Sequence, residues 1–394
     1  MATRVALTGN DAAAEALRQS NPDVAAVFPI TPQTELMHKF SQFVADGDVD
    51  TELVHVESEH SAMSACVGAA AAGARVVTAT SANGLALMWE IVYIAASLRL
   101  PIVMPEVNRA LSGPINIHCD HSDTMGCRDS GWIQIYSENA QEAYDNVLQA
   151  FRISEHRDVL LPTMATLDGF ILSHTVESLE VEDDKIAKDF IGEYKPARSL
   201  LDTDNPMTMG PLDLQDYYFE HKRQQVLAME NARGIILDVG AEYGNLTGRS
   251  YGYFEEIETD GADVILVAMG SAAGTAKAAI RQLRAEGVKA GLLKLRVFRP
   301  FPGKEVLEVL NKAKAVAVMD RAISFGLEGG PLFNEIRSFA YEYANKGLML
   351  KSFIYGLGGR DINVGEIQAI AKNMLDNKDK DTVDARVEYI GVRE

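Results

Sequence analysis

A chain of 394 residues is long enough for two or three cores, and 47% hydrophobic against 24% charged residues is the balance of a globular protein. Its net charge of −19 argues against a nucleic-acid binder and against attachment to anionic membrane surfaces.

Arg4 to Asn10 opens the chain and leads into a helical run, Asp11 to Gln19, with Asn10 or Asp11 as N-cap. The first residues enter polar sequence at once, with no apolar leader, so a cytoplasmic location is expected. A strand over Val24 to Phe28 runs into Pro29-Ile30-Thr31-Pro32. Two prolines around a threonine fix the backbone at a strand's C-terminal end, where ligands of open α/β sheets gather; a plain turn is the other reading. Thr31 precedes a proline, which biases it to extended geometry and holds its hydroxyl in one direction, as a donor to a substrate carboxylate requires. The helix from Thr34 to Val44 ends near the turn Asp46-Gly47-Asp48.

The stretch from Leu53 to Leu85 is the centre of the chain. A β-prone run, Leu53 to Val56, gives way to the carboxylates Glu57 and Glu59. A helix of small residues follows, with Ala62, Ala65, Ala69 and Ala72 on one stripe beside Gly68 and Gly73. Then come a strand, Val76 to Thr80, and a turn, Ser81 to Gly84. Strand, helix and strand in about 30 residues form a βαβ unit with parallel strands. A helix so poor in side-chain volume lets another backbone approach closely, which points to tight packing against a neighbouring helix or chain. The two carboxylates sit at its first turn, and two readings are open. Both favour the positive end of the helix dipole, worth ~0.3–1 kcal/mol. Alternatively, Glu59 is a buried acid at a subunit seam. That second arrangement resembles the glutamate of thiamine-diphosphate enzymes, which holds the cofactor's aminopyrimidine ring in its imino tautomer; the neighbouring small residues leave room for the ring.

Leu85 to Leu98 is apolar on nearly every face, the pattern of a helix buried in a large core or under a partner subunit. It carries Glu90 and is too short to cross a bilayer, so no membrane span is expected. Ile102 to Val107 is the next buried strand, with Asn108-Arg109-Ala110 directly after it. Arg109 is either an ordinary surface residue or a guanidinium reaching into the same mouth as Thr31, ready to hold a carboxylate through paired hydrogen bonds. In the long loop from Leu111 to Trp132, His118, Cys119, Asp120, His121 and Asp123 look like metal ligands. They are adjacent rather than spaced by three or four, and no second cluster completes them, so no metal is assigned. A cover on the site is the expectation for this loop. The three cysteines, Cys66, Cys119 and Cys127, fit neither zinc nor an iron–sulfur cluster and are expected to stay reduced.

A helix over Ala140 to Ser154 and a strand over Val159 to Met164 lead to Asp168-Gly169-Phe170, the way out of the first domain. The stretch Val176 to Asp260 carries the charge run Glu180 to Asp184, a helix candidate, Leu214 to Ala232, and the Gly- and Tyr-rich run Gly240 to Tyr253. Its Tyr and Phe content points to an ordered connector. The βαβ pattern then restarts: strand Val264 to Met269, turn Gly270 to Gly274, helix Thr275 to Glu286, strand Val288 to Leu295, helix Gly303 to Lys312, strand Ala315 to Met319. Gly270-x-x-x-Gly274 lacks the third glycine of a dinucleotide fingerprint, so a smaller doubly wound domain with an assembly role is expected. The division expected is 1–175, a connector 176–260, and 261–394.

Several short strings occur here in one order: Phe28-Pro29-Ile30-Thr31-Pro32, Glu57-Ser58-Glu59-His60, Val107-Asn108-Arg109-Ala110-Leu111, Asp120-His121-Ser122-Asp123 and Arg128-Asp129-Ser130-Gly131-Trp132. Leu295-Arg296-Val297-Phe298-Arg299-Pro300-Phe301-Pro302 and Tyr355-Gly356-Leu357-Gly358-Gly359-Arg360 complete the series. Together, over essentially the whole chain, they resemble the alpha subunit of the pyruvate-type 2-oxoacid:ferredoxin oxidoreductase family. The resemblance implies an α/β fold: a pyrimidine-type thiamine-diphosphate-binding domain with a parallel sheet, then a domain like the C-terminal one of transketolase. It implies Glu59 as the aminopyrimidine carboxylate and Thr31 and Arg109 as holders of the 2-oxoacid carboxylate. The implied reaction is reversible oxidation of pyruvate and coenzyme A to acetyl-CoA and CO₂, with electrons passed to ferredoxin.

In the thiamine superfamily Mg²⁺ and the diphosphate are held by Gly-Asp-Gly and a later Asn. The nearest string here, Gly47-Asp48-Val49, fails that pattern, so a partner chain is expected to hold Mg²⁺. By the same resemblance [4Fe-4S] clusters and coenzyme A contacts fall to beta, gamma and delta partners. Three alternatives stay open: a relative acting on 2-oxobutyrate or 2-oxoisovalerate, the beta subunit of a 2-oxoacid dehydrogenase E1 component, and a non-catalytic scaffold. Retention of Glu59, Thr31 and Arg109 together counts against the scaffold.

Overall fold

The computed structural model describes residues 2–378 and 386–393; the rest of the expected 261–394 unit lies outside the described residues. Two larger sheets organise the chain. The first has the strand order Val297–Arg299, Ile133–Tyr136, Thr163–Asp168, Ile102–Asn108, Val76–Val77, Val24–Val27, Glu52–His55. All neighbours are parallel except Val297–Arg299, which reaches back from the second half of the chain to pair antiparallel with Ile133–Tyr136. Helices cover both faces, as buried parallel strands require. Gly9–Ser20 and Ala140–Ser154 pack Ala13, Leu17, Val147 and Phe151 on one side. Glu59–Ala71 and Trp89–Ser97 pack Met63, Cys66 and Val92 with Trp132 on the other.

Local chemistry fixes these helices. Thr8, two or three residues before the expected caps, begins Gly9–Ser20: its hydroxyl accepts from Asp11 N–H at 3.1 Å while the Asp11 carboxylate accepts from Thr8 N–H at 3.3 Å, a reciprocal capping box. Ala140–Ser154 is capped by Asn139, whose side chain accepts from Glu142 N–H at 2.9 Å. The expected turn Ser81 to Gly84 is instead the start of a short helix, Ala82–Leu87, followed by Trp89–Ser97. Leu85, Met88, Val92, Ala95 and Ala96 point inward, but Leu87, Trp89 and Ile94 are exposed at 53%, 43% and 36%, so the apolar run is buried on one side only within this chain.

The second sheet runs Val387–Tyr389, Met349–Ile354, Ala315–Asp320, Val264–Ala268, Ala290–Leu295, Phe254–Ile257 and is parallel except at the last strand. The period of two is clear: Val264, Leu266 and Ala268 pack with Ile280, Ile367 and Met374, while Ile265 and Val267 pack with Val306, Leu332 and Ile336.

Between the sheets, 176–260 contributes a strand paired with the first strand of the chain (Val176–Val181 with Thr3–Thr8), the helix Asp184–Ile191, the long helix Tyr218–Thr247 and the strand Phe254–Ile257. Buried Asp145 fastens this stretch to the first core, accepting from Tyr243 Oη at 2.6 Å, Tyr251 Oη at 2.5 Å and Arg249 Nε at 2.8 Å. No helix among the described residues is long and apolar enough to cross a membrane.

The long loop ties the first sheet to the second half of the chain. Asn116 Nδ2 donates to Gly358 O at 3.0 Å, Gly359 N–H to Cys119 O at 2.6 Å, and His121 N–H to Arg321 O at 2.9 Å. These bonds join the loop to the glycine-rich turn after Met349–Ile354 and to the end of Ala315–Asp320. At their centre Asp168, 1% exposed, takes His121 Nε2 at 2.8 Å, Arg321 Nη1 at 3.0 Å and Ser271 N–H at 3.1 Å. Gly270 has φ +64°, and a Cβ there would meet the Asp168 carboxylate at 2.8 Å. That glycine admits a carboxylate from the first sheet rather than a nucleotide.

Candidate active site

Four consecutive parallel strands end on one edge of the first sheet, and each is followed by a residue of interest. Val24–Val27 leads to Thr31, Glu52–His55 to Glu59, Val76–Val77 to Thr80 and Gly84, and Ile102–Asn108 to Arg109. The chain order reverses between Val24–Val27 and Val76–Val77, the topological switch point at which open α/β sheets bind ligands.

Glu59 opens the small-residue helix, whose N-cap Ser58 accepts from Ser61 N–H at 3.2 Å. Its side chain is 6% exposed and has no hydrogen-bond or ion-pair partner among the described residues. The point where a Cβ on Gly84 would sit is 2.7 Å from Glu59 Oε1, so only glycine leaves this acid its place. Glu57 differs in every respect. It is exposed and bonded to the Ser61 hydroxyl, which holds its carboxyl below the usual range. The dipole reading is sufficient for Glu57, whereas a buried carboxylate without a partner calls for a ligand.

The structure brings Thr31 and Arg109 together. Arg109, 7% exposed, donates from Nη1 to Thr31 O at 3.0 Å and from Nε to Asn116 O at 3.0 Å, which aims the guanidinium at the Thr31 turn. Contact is through the Thr31 carbonyl. The hydroxyl and Arg109 Nη2 have no partner among the described residues and stay available to a carboxylate. The turn itself is held from the first helix by Asn10 Nδ2 donating to Pro32 O at 2.9 Å.

Sequence reasoning missed what lies behind these groups. Asp123, 2% exposed, anchors Arg109 by accepting from its N–H at 2.8 Å, and also accepts from Ala82 N–H at 3.1 Å, Asn108 Nδ2 at 2.9 Å and Thr124 N–H at 2.8 Å. Glu106 is wholly buried in the middle of Ile102–Asn108, and a charge inside an otherwise apolar strand was the signal that could have marked it. Cys119, His121 and Asp168 do place one ligand atom each within 4.8 Å of one another. However, Asp168 already carries Arg321 and His121, and these neighbours overcome the effect of burial to hold its carboxyl far below the usual range. The cation in this cluster is therefore a guanidinium.

Of the small-residue helix, Ser64 and Gly68 face outward, and a Cβ on Gly68 would touch nothing. This bare stripe lies on the same side of the sheet as Leu87, Trp89 and Ile94, beside the edge that carries Glu59.

Residues 15–241 match the family described as "Pyruvate flavodoxin/ferredoxin oxidoreductase, thiamine diP-bdg", and residues 262–367 match "Pyruvate:ferredoxin oxidoreductase core domain II". A pyruvate synthase subunit PorA of Thermotoga maritima is 56% identical, over 99% of this chain and 98% of its own. A ketoisovalerate oxidoreductase subunit VorA of Pyrococcus abyssi is 44% identical, over 97% of this chain and 96% of its own. Among solved structures, the 2-oxoglutarate:ferredoxin oxidoreductase of Magnetococcus marinus superimposes with a TM-score of 0.72 at 19% identity, over 94% of this chain and 65% of that longer one; it shares the fold. The chain belongs to the pyruvate:ferredoxin oxidoreductase family and is of its alpha-subunit type.

Proposed function

We propose that this chain supplies the pyrimidine-side half of a thiamine-diphosphate site and the grip on the 2-oxoacid carboxylate, in an enzyme that converts pyruvate and coenzyme A to acetyl-CoA and CO₂ with electrons leaving to ferredoxin. The observation that carries this reading is the buried, unpartnered Glu59 carboxylate at the switch point, on the same strand-end edge as the Thr31–Arg109 pair. Glu59 would hold the ring by accepting a hydrogen bond from its nitrogen. Bound thiamine diphosphate supplies the nucleophilic carbon and the electron sink that decarboxylation of a 2-oxoacid needs. Thr31 and Arg109 orient the substrate carboxylate. One hydroxyl and one guanidinium are a moderate grip, which suits a group that must leave as CO₂, because tighter ground-state binding would slow the step.

Mg²⁺ and the diphosphate contacts are assigned to a partner chain, since Gly47-Asp48-Val49 is only the end of a helix, with Gly47 at φ +76° as its C-cap, and the [4Fe-4S] clusters likewise, since three cysteines are too few to hold one. Beta, gamma and delta subunits and coenzyme A complete the reading. The small-residue helix and the exposed Leu87, Trp89 and Ile94 are the face offered to the chain that brings the diphosphate half. The isolated chain is expected to release no CO₂ from pyruvate and to bind thiamine diphosphate weakly. The purified native complex is expected to show iron–sulfur absorption in the visible. Turnover by the single chain, or a colourless active complex, would contradict the reading.

Arg109→Lys keeps the charge but loses the planar fork. In the assembled enzyme it is expected to lower kcat/KM for pyruvate by roughly 1.5–3 kcal/mol, the worth of a hydrogen bond to a charged group, and Thr31→Val to act more weakly in the same direction. Thiamine-diphosphate titration should be near normal in both; loss of cofactor binding with unchanged pyruvate kinetics would refute the assignment. The VorA relative favours a second reading, a branched 2-oxoacid as substrate, and kcat/KM for 2-oxoisovalerate against pyruvate decides between them.

A further inference from the structure

Arg109 is aimed by two backbone carbonyls, and only one of them belongs to the edge of the first sheet. Nη1 donates to Thr31 O, while Nε donates to Asn116 O at 3.0 Å, inside the long loop. From Leu111 to His118 that loop is exposed except at Asn116, which is half-buried. A segment with so little burial does not by itself hold a carbonyl in one place. The Asn116 side chain does so, with both ends of its amide. Oδ1 accepts from His118 N–H at 2.7 Å, closing a tight local turn. Nδ2 donates to Gly358 O at 3.0 Å, in the glycine-rich turn that follows Met349–Ile354. His118 O in turn accepts from Ala110 N–H at 3.0 Å, which brings the loop back beside Arg109.

Gly358 is shaped for this contact. It has φ +59°, and a Cβ there would collide with Asn116 Nδ2, so glycine is required twice over. Its own N–H donates to the buried Asp120 carboxylate at 3.2 Å, which keeps the turn against the loop. Resting on the reading of Thr31 and Arg109 as the grip on the substrate carboxylate, we propose that Asn116 is a positioning residue for Arg109, through which the second sheet sets the direction of the guanidinium. A guanidinium bonded to Thr31 O alone would still attract a carboxylate, but it would pivot about that one bond. With Nε held as well, the plane of the fork is fixed, and with it the direction in which Nη2 donates. The string Tyr355 to Arg360, which neither the cofactor nor the substrate reading uses, then has a part in the site: its glycine admits the amide that sets the arginine.

The test uses the assembled enzyme, with pyruvate kinetics beside a thiamine-diphosphate titration. Asn116→Ala is expected to lower kcat/KM for pyruvate about ten-fold, mainly through a higher KM, with cofactor affinity near the parent value; this is the pattern of a misaligned substrate contact. Gly358→Ala reaches the same amide from the second sheet and is expected to move KM in the same direction. The deciding measurement is a double-mutant cycle with Arg109→Lys. Lysine has no Nε–H fork to aim, so in that background Asn116→Ala should cost less than about two-fold more. Equal costs in both backgrounds would mean that Asn116 only ties down a loop, and would overturn the proposal. An Asn116→Ala enzyme with the parent's kcat/KM overturns it as well. If Asn116→Ala does not assemble, Gly358→Ala in the two backgrounds decides by the same criterion. An Arg109→Lys enzyme with the parent's pyruvate kinetics would instead refute the underlying reading, and that single variant shows which of the two has failed.

Discussion

Glu59→Gln is expected to slow pyruvate turnover by the assembled enzyme roughly 10²–10⁴-fold, the range of a general acid–base contribution. Gln keeps the shape and can still contact the ring, but it cannot take the full charge-assisted hydrogen bond that a carboxylate accepts, nor hold and return a proton at the ring nitrogen. Burial sharpens the effect, because Glu59 has no other partner to share the load. Glu57→Gln is the internal control: two residues away, exposed, and engaged with Ser61, it should change kcat little. Gly84→Ala reaches the same acid by a different route, since the added methyl would sit 2.7 Å from Glu59 Oε1 and displace it. That variant should resemble Glu59→Gln in kcat. Equal effects at positions 57 and 59, or the reverse order, would mean that the wrong carboxylate has been chosen. Single-turnover decarboxylation beside a cofactor titration separates lost chemistry from lost binding.

The placement of Glu59, Thr31 and Arg109 was legible because strand-ends are legible. Apolar runs of period two or of continuous β-branched residues mark parallel strands, and polar residues just after them fall on the ligand edge. Burial of individual polar groups was not legible. Glu106 and Asp168 lie within strands, and Thr166 and Asp168 make the C-terminal half of Thr163–Asp168 look like a loop, so the apolar run Val159 to Met164 drew the expected strand too early. Leu160 there has φ +46° and belongs to a turn. The long helix Tyr218–Thr247 runs fifteen residues past its expected end at Ala232, through glycines that read as breakers. Gly240 is tolerated because the Tyr251 carbonyl occupies the place of its Cβ, a tertiary requirement that no local pattern carries. The seam around Asp168 joins His121, Ser271 and Arg321, up to 153 positions from Asp168 along the chain, and such separation hides a cluster.

That seam carries the largest stability effect expected in this chain. Arg321→Met leaves Asp168 buried beside His121 and Ser271 with its guanidinium gone. Breaking a buried pair from one side costs up to about 3–5 kcal/mol, and His121 and Ser271, which stay on the carboxylate, place the cost towards the lower end. Asp168→Asn in the same background removes that charge, and the double variant should recover much of the loss, since replacing both partners of a buried pair is often near neutral. The pH dependence has a definite sign. The folded-state value of Asp168 lies below the usual carboxylate value of roughly 3.9, so its contribution is complete above that pH and is lost as pH falls through the lower, folded value. Arg321→Met should therefore weaken the parent's acid sensitivity below about pH 4 while lowering its stability at pH 7. Limited proteolysis of the assembled enzyme, with cleavage sought in the loop 111–132 and near Gly356, reads the seam directly, because those backbones are bonded to each other across it. If Arg321→Met protects the loop as well as the parent does, the ion pair is not what closes the two sheets together.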